Sequence, residues 1–344
     1  MVGNRSCQGE VLLSMSVQIT RRRLITVAAI AAGLPLALHA GRAQARLVSW
    51  EGSALGAPAS IQLYHTDEAK ARAAIAASLD ELARLEAIFS VHRADSAISR
   101  LNRAGSLAAP PAELVELMTY AATMAEITDG IYDPTIQPVW QMYFRHFTAA
   151  TVDPAGPSER DIAAALALVG WRDVEIAADR LAFARPGMGV TLNGVAQGFI
   201  TDRVAAILRA HGFGSVLVDM GEPRALSAKP DGSAWRIGIA NPADASRAVT
   251  EISVTDKCVA TSGGYGTLFD ADARFTHLID PRTGHTAPAL AGVSVVADTA
   301  TVADGLSTAM LLVPAERRQD VLRRAGGDLA IYVTPDGVTA RVEA

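Results

Sequence analysis

Apolar and polar positions follow two rhythms along this chain. Between Asp67 and Ser90, Ile75, Leu79, Leu82 and Leu85 to Phe89 recur at helical spacing, and Asp67 is placed to cap the start. A second helix is predicted from about Ala112 to Thr128, with Leu114, Leu117, Ala121 and Met124 on one face and a stop at Asp129-Gly130. Ser158 is expected to cap a third, while "TVADGLSTAMLLV" and the segment around Ala315 to Arg324 read as two more. Period two takes over at Ala57 to His65 and at the short pair "DVEIAA" and "RLAFAR". "SVLVDMG", "WRIGIANP", "AVTEISVT", "CVATSG" and "RFTHLIDP" read as successive strands of one sheet, and "GVSVVAD", "LAIYVT" and "VTARVE" as later strands. "IYDPTIQPVWQMYF" carries two prolines and reads mostly as loop. The pattern implies an α+β (mixed α/β) protein, with a helical N-terminal part packed on a larger sheet part.

One stretch combines the rhythms. "VTLNGVAQGFITDRV", Val190 to Val204, reads as a short apolar strand, an Asn-Gly turn and an amphipathic helix running to Ala210. A helix start behind a glycine turn offers N–H groups and a positive dipole end to an anion. The spacing is not that of a dinucleotide fingerprint. On its own the stretch fits a phosphate loop and a plain strand–helix connection equally well.

Charge narrows the partners. The net charge of −5, with no Lys/Arg-rich block beyond the extreme N-terminus and only 5% aromatic residues, argues against nucleic acid. The basic cluster itself belongs to a leader. "TRRRLITVAAIAAGLPLALHAGRAQA" has Arg21 to Arg23, an alanine-rich apolar stretch and a small-residue cleavage site at Ala43 to Ala45. The Thr-Arg-Arg-x-Leu order fits twin-arginine export, so residues 1–45 are expected to be a cleaved signal and 46–344 a periplasmic domain. Gly33, Pro35 and the alanines make the stretch too weakly apolar for a membrane span, and none is expected in the mature chain. Met15 directly precedes the signal, which makes residues 1–14 a candidate misassigned start. Of the cysteines Cys7 and Cys258, only Cys258 remains after cleavage, so no internal disulfide is expected and Cys258 reads as a buried small hydrophobe.

Two further stretches could carry chemistry. "FTHLIDPRTGH" packs His277, Asp280 and Arg282 around a turn, where Asp280 and Arg282 are expected to shape the loop rather than react. "TATVADGLSTAM" places Asp304 and Thr308 four residues apart, on one helix face. A carboxylate and a hydroxyl one turn apart are hard oxygen ligands suited to Mg²⁺. The same pair also fits a helix cap and a surface hydroxyl, and the residues alone leave both readings open.

Taken together, "DGIYDPTIQPV", "LNGVAQGFITDRVAAIL", "VDMGEPRALSAKPDGSAWRIGIANP", "VATSGGYGTLF", "HLIDPRTG" and "TVADGLSTAML" stand in the order and spacing of the ApbE-type FAD:protein FMN transferases. The resemblance runs from about Ser53 to the C-terminus. It implies an ApbE-like fold with a mainly antiparallel sheet. It also implies FAD and Mg²⁺, and transfer of FMN to a Thr or Ser hydroxyl of a partner protein with release of AMP. The metal ligands implied are the Gly194 carbonyl and the side chains of Asp304 and Thr308. FAD contacts carry over to Leu55, His92, Ile131, Tyr132, Asp133, Thr191, Gln197 and Leu278. Asp304 and His277 are the implied candidates for the general base. Thr191 and Gln197 stand where many members have an acidic residue and a lysine. The missing lysine removes positive charge beside the pyrophosphate, an expected cost to affinity or rate. The "LNGVAQG" wording and the twin-arginine leader look most similar to the NosX branch, associated with maturation of the nitrous oxide reduction system. That branch implies a membrane flavoprotein of NosR type as acceptor. A non-catalytic FAD-binding maturation factor and an FAD pyrophosphatase stand as alternatives.

Overall fold

The predicted first helix forms as one turn after another of buried contacts. In the computed structural model, which describes residues 45–241, 244–264, 266–286 and 292–344, two strands precede it: β1 (Arg46–Ala54) and β2 (Ala57–His65). Helix α1 (Glu68–Phe89) then starts at Asp67, whose side chain accepts from the Lys70 N–H. Its Ile75, Leu82, Leu85, Ile88 and Phe89 are buried in the main core. Helix α2 (Ala97–Ala104), strand β3 (Ser106–Ala108) and helix α3 (Ala112–Ile127) follow, and α3 stops at Asp129 and Gly130, both at positive φ. The signal predicted for residues 1–45 lies outside the described residues as far as residue 44.

The next segment departs from expectation. "IYDPTIQPVWQMYF" is largely helical: a 3-10 turn at Pro134–Ile136 leads into α4 (Gln137–Phe147). Both prolines sit in a first turn, where the missing N–H has no helical partner to lose. Helix α5 (Glu159–Leu166) starts at Ser158, which accepts from the Asp161 N–H as the sequence predicts. Strands β4 (Val174–Ile176) and β5 (Arg180–Phe183) join β3 in a small three-stranded sheet with β5 in the middle.

The rest of the chain builds the large sheet. Helix α6 (Ala196–Ala210) is followed by β6 (Val216–Asp219), β7 (Pro223–Leu226), β8 (Trp235–Asn241), β9 (Asp244–Val254), β10 (Cys258–Gly263), β11 (Gly292–Ala297), α7 (Ala300–Met310), α8 (Arg318–Arg324), β12 (Gly327–Val333) and β13 (Thr339–Glu343). The main sheet has eight strands in the order β1-β2-β6-β7-β10-β11-β12-β13, every pair antiparallel. The architecture is therefore the expected α+β one. Two details differ. β8 and β9 form their own two-stranded sheet, and "RFTHLIDP" is no strand but a loop held by isolated bridges, Leu268 to Thr276 and Ile279 to Thr286. Helices α1, α3, α6 and α7 share one core with the inner sheet residues. Cys258 is buried as expected, and burial pushes its thiol up to about 12, which keeps it protonated and inert. Among the described residues no helix is long and apolar enough to cross a membrane.

Candidate functional site

Two helices meet here and cap one another. Upstream of α6 the segment around Val190 is not a strand, contrary to the sequence reading. The Asn102 side-chain amide is its partner, accepting from Val190 N and donating to Val190 O, each at 2.8 Å, while Thr191 N–H donates to Pro134 O at 2.8 Å. Leu192 O then accepts from Val195 N and Ala196 N, closing the Asn193-Gly194 turn. The residue before α6, Val195, has no capping side chain. Asp304 of α7 supplies the cap instead: its Oδ2 accepts from the Gly198 N–H at 2.9 Å. Glycine is required there, because a Cβ at Gly198 would lie 2.2 Å from the Ala300 carbonyl oxygen and 2.8 Å from Asp304 Cβ. The favour is returned by Asp202 of α6. Its carboxylate accepts from Ala300 N and Thr301 N at 2.9 Å and from Thr301 Oγ1 at 2.7 Å, and it is ion-paired with Arg224.

The seam gathers the three predicted metal-binding positions. Thr308 Oγ1 donates to the Gly194 carbonyl at 3.4 Å, and Asp304 lies one helical turn before Thr308. A side chain at Gly194 would press on Thr308, with a Cβ 3.0 Å from its Oγ1. Asp304 is almost fully buried, at 3% exposure. Ser262 of β10 joins the set, with its Oγ 3.2 Å from Thr308 Oγ1 and 2.7 Å from Ser307 Oγ. Among the described residues no three His, Cys, Asp or Glu side chains cluster as a metal site. One carboxylate, one carbonyl and one or two hydroxyls is a different donor set. It is all hard oxygen and poor in charge, and it fits Mg²⁺ that shares its remaining positions with phosphates and water.

The residues predicted to contact FAD are placed unevenly. Leu55 sits at the tip of the β1–β2 turn with φ 48°, its N–H held by Glu86 Oε1 at 2.7 Å. Gln197 lies beside that turn but points inward. It is 6% exposed, its Nε2 is 3.4 Å from Ala54 O, and Gly221 packs directly against its amide. Gln197, expected to face the dinucleotide, thus sets its amide against Ala54 and Gly221 at the side of that turn. Thr191 Oγ1 accepts from the Asn193 N–H at 3.2 Å and shapes the turn. Asp133 is likewise committed, with Oδ1 accepting from Thr135 N and Oγ1 and Oδ2 accepting from Trp171 N. Burial pushes its carboxyl above the usual range in spite of those bonds. Ile131, Tyr132 and Leu278 are buried, whereas His92 is exposed just beyond α1. His277 is half-buried, with Nδ1 3.2 Å from both Thr267 N and Thr267 O and its ring against Gly266. Asp280 and Arg282 pair at 2.6 Å and shape their loop, as expected.

Sequence reasoning missed several groups. Asn102, Asp202 and Ser262 act through partners far away in the chain, with no local pattern to mark them. Glu222 is a fourth: it is buried, with Oε2 accepting from Thr261 N at 3.0 Å and its carbonyl from Thr201 Oγ1 at 3.1 Å. Tyr120 is a fifth, and it shares one property with Tyr132, which the resemblance marks as an FAD contact. The hydroxyls of Tyr120 and Tyr132 are buried without a hydrogen-bond partner among the described residues. Burial drives both far above the ordinary tyrosine range, and the charge of Asp304 is the next cause for each. A cleft of about 660 Å³ lies elsewhere, lined by residues such as Met142, Arg145, His146, Asp161 and Leu168, and holds none of the predicted site residues.

Known proteins resemble this chain in sequence and in fold. The model of the ApbE family matches residues 55–333. A Klebsiella pneumoniae FAD:protein FMN transferase is 30% identical over 296 residues, covering 82% of this chain and 83% of its own. One from Treponema pallidum is 31% identical over 324 residues, covering 86% and 87%. The crystal structure of the Pseudomonas stutzeri flavinyl transferase ApbE, apo form, superposes with a TM-score of 0.75 at 29% identity, covering 87% of this chain and 95% of that one. With the family match spanning most of its length and the same fold beneath it, this chain belongs to the ApbE family.

Proposed function

We propose that this chain is a periplasmic, Mg²⁺-dependent FAD:protein FMN transferase that acts on a membrane flavoprotein of NosR type. The transferase class follows the family to which the chain belongs. One observation supports the metal-dependent reading: Thr308 Oγ1 bonds Gly194 O across the α6–α7 seam, with the buried Asp304 one helical turn away. Bound there, Mg²⁺ would neutralise the charge that builds on the phosphates as the pyrophosphate bond breaks.

The chain's own residues do the holding. Gly194 and Thr308 present oxygens from opposite sides of the seam, and Asp304 is kept in place by the Gly198 amide. In the transfer, the acceptor hydroxyl oxygen bonds to the FMN phosphorus, the P–O bond to AMP breaks, and the hydroxyl proton passes to a base. Asp304 and His277 are the two candidates for that base. The periplasmic location rests on the twin-arginine leader, and the NosR-type acceptor on the NosX-like wording of "LNGVAQG".

The test uses purified protein, FAD, Mg²⁺ and a NosR-type flavin domain. An FMN-sized mass increase on one Thr or Ser of that domain is expected. FAD recovered intact and bound would instead make the chain a carrier, and FMN and AMP free in solution would make it a pyrophosphatase.

A further inference from the structure

A line of hydroxyls joins α7 to β10 at the seam, through Thr308, Ser262 and Ser307. Ser307 Oγ donates to the Asp304 backbone carbonyl at 3.0 Å. Ser262 Oγ lies 2.7 Å from Ser307 Oγ and 3.2 Å from Thr308 Oγ1, and either member of each pair can donate. Thr308 Oγ1 reaches Gly194 O at 3.4 Å, the longest of these links. Four links thus share three protons, because each hydroxyl has one to give and the two carbonyls only accept. One link is always left without a proton. Gly194 O is the loosely held end. In a regular helix the amide four residues on would donate to it. That amide belongs to Gly198 and donates to Asp304 Oδ2 instead. Burial also gives the line a direction, since Ser307 and Asp304 are buried and Ser262 and Thr308 are half-buried.

We propose that Ser262 accepts the Thr308 O–H in place of the Gly194 carbonyl when a cation binds, which makes Ser262 a positioning residue for Thr308. The donations then run one way, from Thr308 to Ser262, from Ser262 to Ser307 and from Ser307 to the Asp304 carbonyl. Every proton points inward, and Thr308 Oγ1 and Gly194 O both keep lone pairs for the cation. A hydroxyl that ligates a metal must send its proton elsewhere, and Ser262 Oγ is an acceptor within reach. Without it the Thr308 proton stays between the two oxygens and competes with the cation. A neighbouring pair shows what sets this one apart. Thr261, one residue back on β10, has its Oγ1 2.7 Å from Ser294 Oγ of β11, an equally short link on the other face of the strand.

The inference rests on the reading of Gly194, Asp304 and Thr308 as metal ligands, so its test includes a control for that reading. Mg²⁺ binding to the full chain is measured by titration calorimetry for the wild type, Asp304→Ala, Ser262→Ala, Ser307→Ala, the double serine variant and Ser294→Ala. Asp304→Ala should lose Mg²⁺ binding. Ser262→Ala removes the acceptor, and Ser307→Ala turns the Ser262 proton back onto Thr308, so each should bind Mg²⁺ about tenfold more weakly. The double variant should stay within about twofold of the single ones, since both break the same line. Ser294→Ala removes an equal hydrogen bond from the same sheet and should bind Mg²⁺ as the wild type does, which a merely structural role would not allow. With binding lost in Asp304→Ala, three results each overturn the Ser262 role alone: unchanged affinity in either single serine variant, an additive loss of about 100-fold in the double variant, or a comparable loss in Ser294→Ala. Binding that survives Asp304→Ala overturns the metal-site reading, and the Ser262 role with it. If Ser262→Ala fails to fold, Ser262→Cys decides by the same criteria, its thiol being a weak acceptor.

Discussion

Asp202 and Asp304 look like mirror images and are not equivalent. Each is a carboxylate on one helix of the α6–α7 pair that holds backbone N–H groups at the start of the other. Both sit where the helix dipole favours negative charge. Their surroundings separate them. Asp202 takes two amides and the Thr301 hydroxyl and is matched by the Arg224 guanidinium, with side chains only 13% and 19% exposed in that pair. Asp304 takes the Gly198 amide and stands one helical turn before Thr308, whose hydroxyl bonds the Gly194 carbonyl. A carboxylate neutralised by arginine is a structural joint. One with further oxygens a turn away is a place for a cation. The same residue type, used for the same capping task, acquires a different role from what faces it.

Substituting each in turn is the strongest way to break that comparison. Asp304→Ala should lower FMN transfer by about 100-fold to 1000-fold, because it removes the one carboxylate of the proposed metal set. Its cost in stability should be only about 1 kcal/mol, that of one lost helix cap. Mass spectrometry of the acceptor reads the first and urea unfolding the second. Transfer within a few-fold of wild type would move the chemistry away from this seam.

Asp202→Ala should show the opposite balance. It strands the Arg224 guanidinium and leaves the Ala300 and Thr301 N–H groups without their acceptor, although Thr299 still caps α7, an expected loss of about 3 kcal/mol in urea unfolding. Arg224 is poorly served to begin with, since its buried Nε already lacks a partner among the described residues. The folded fraction of Asp202→Ala should still bind Mg²⁺. If it loses Mg²⁺ as completely as Asp304→Ala does, the two aspartates form a single unit and the distinction between joint and metal site fails.

That distinction was only half legible in the sequence. Helices α1, α3 and α5 were readable because their periodicity and caps are local: Asp67, the Asp129-Gly130 stop and Ser158 each act within a few residues. Helix α4 was not, because Pro134 and Pro138 read as breakers until the first-turn positions they occupy are known. The order of the sheet was hidden as well. It depends on pairings such as β2 with β6, between segments some 150 residues apart along the chain, which no local pattern encodes. At the site, Asp304 and Thr308 were visible as a pair one turn apart. Their meeting with Gly194, 114 residues from Thr308, came only from the family resemblance. Gln197 shows the limit most plainly. The resemblance marks it as a ligand contact, while the neighbours that bury it, Ala54 and Gly221, lie far from it in the sequence or across a turn and leave no local signal.

A third aspartate sharpens the comparison by the smallest expected effect. Asp219 ends β6 and accepts from the N–H of Gly221, the glycine that packs on Gln197, at 2.9 Å. Burial pushes its carboxyl up to about 6, and the one amide bond opposes the shift without cancelling it. An unfolded aspartate titrates near about 3.9. The folded value is the higher of the two, so the native state binds the proton more tightly. Its stabilising share is fully present below about pH 4 and is lost as pH rises through about 6. At neutral pH Asp219 is therefore a charge held in a poor site, matched neither by an arginine as in Asp202 nor by a metal as proposed for Asp304. Asp219→Asn keeps an acceptor for Gly221 and removes the charge. Urea unfolding should show the variant gaining on wild type between pH 4 and 6, then holding a lead of about 1–2 kcal/mol above that, solvent access to the carboxyl limiting the gain. A deficit at pH 7 would mean that Asp219 is stabilised as an anion and belongs with the functional carboxylates, and a lead that is the same at pH 4 and pH 7 would mean that folding does not shift its titration.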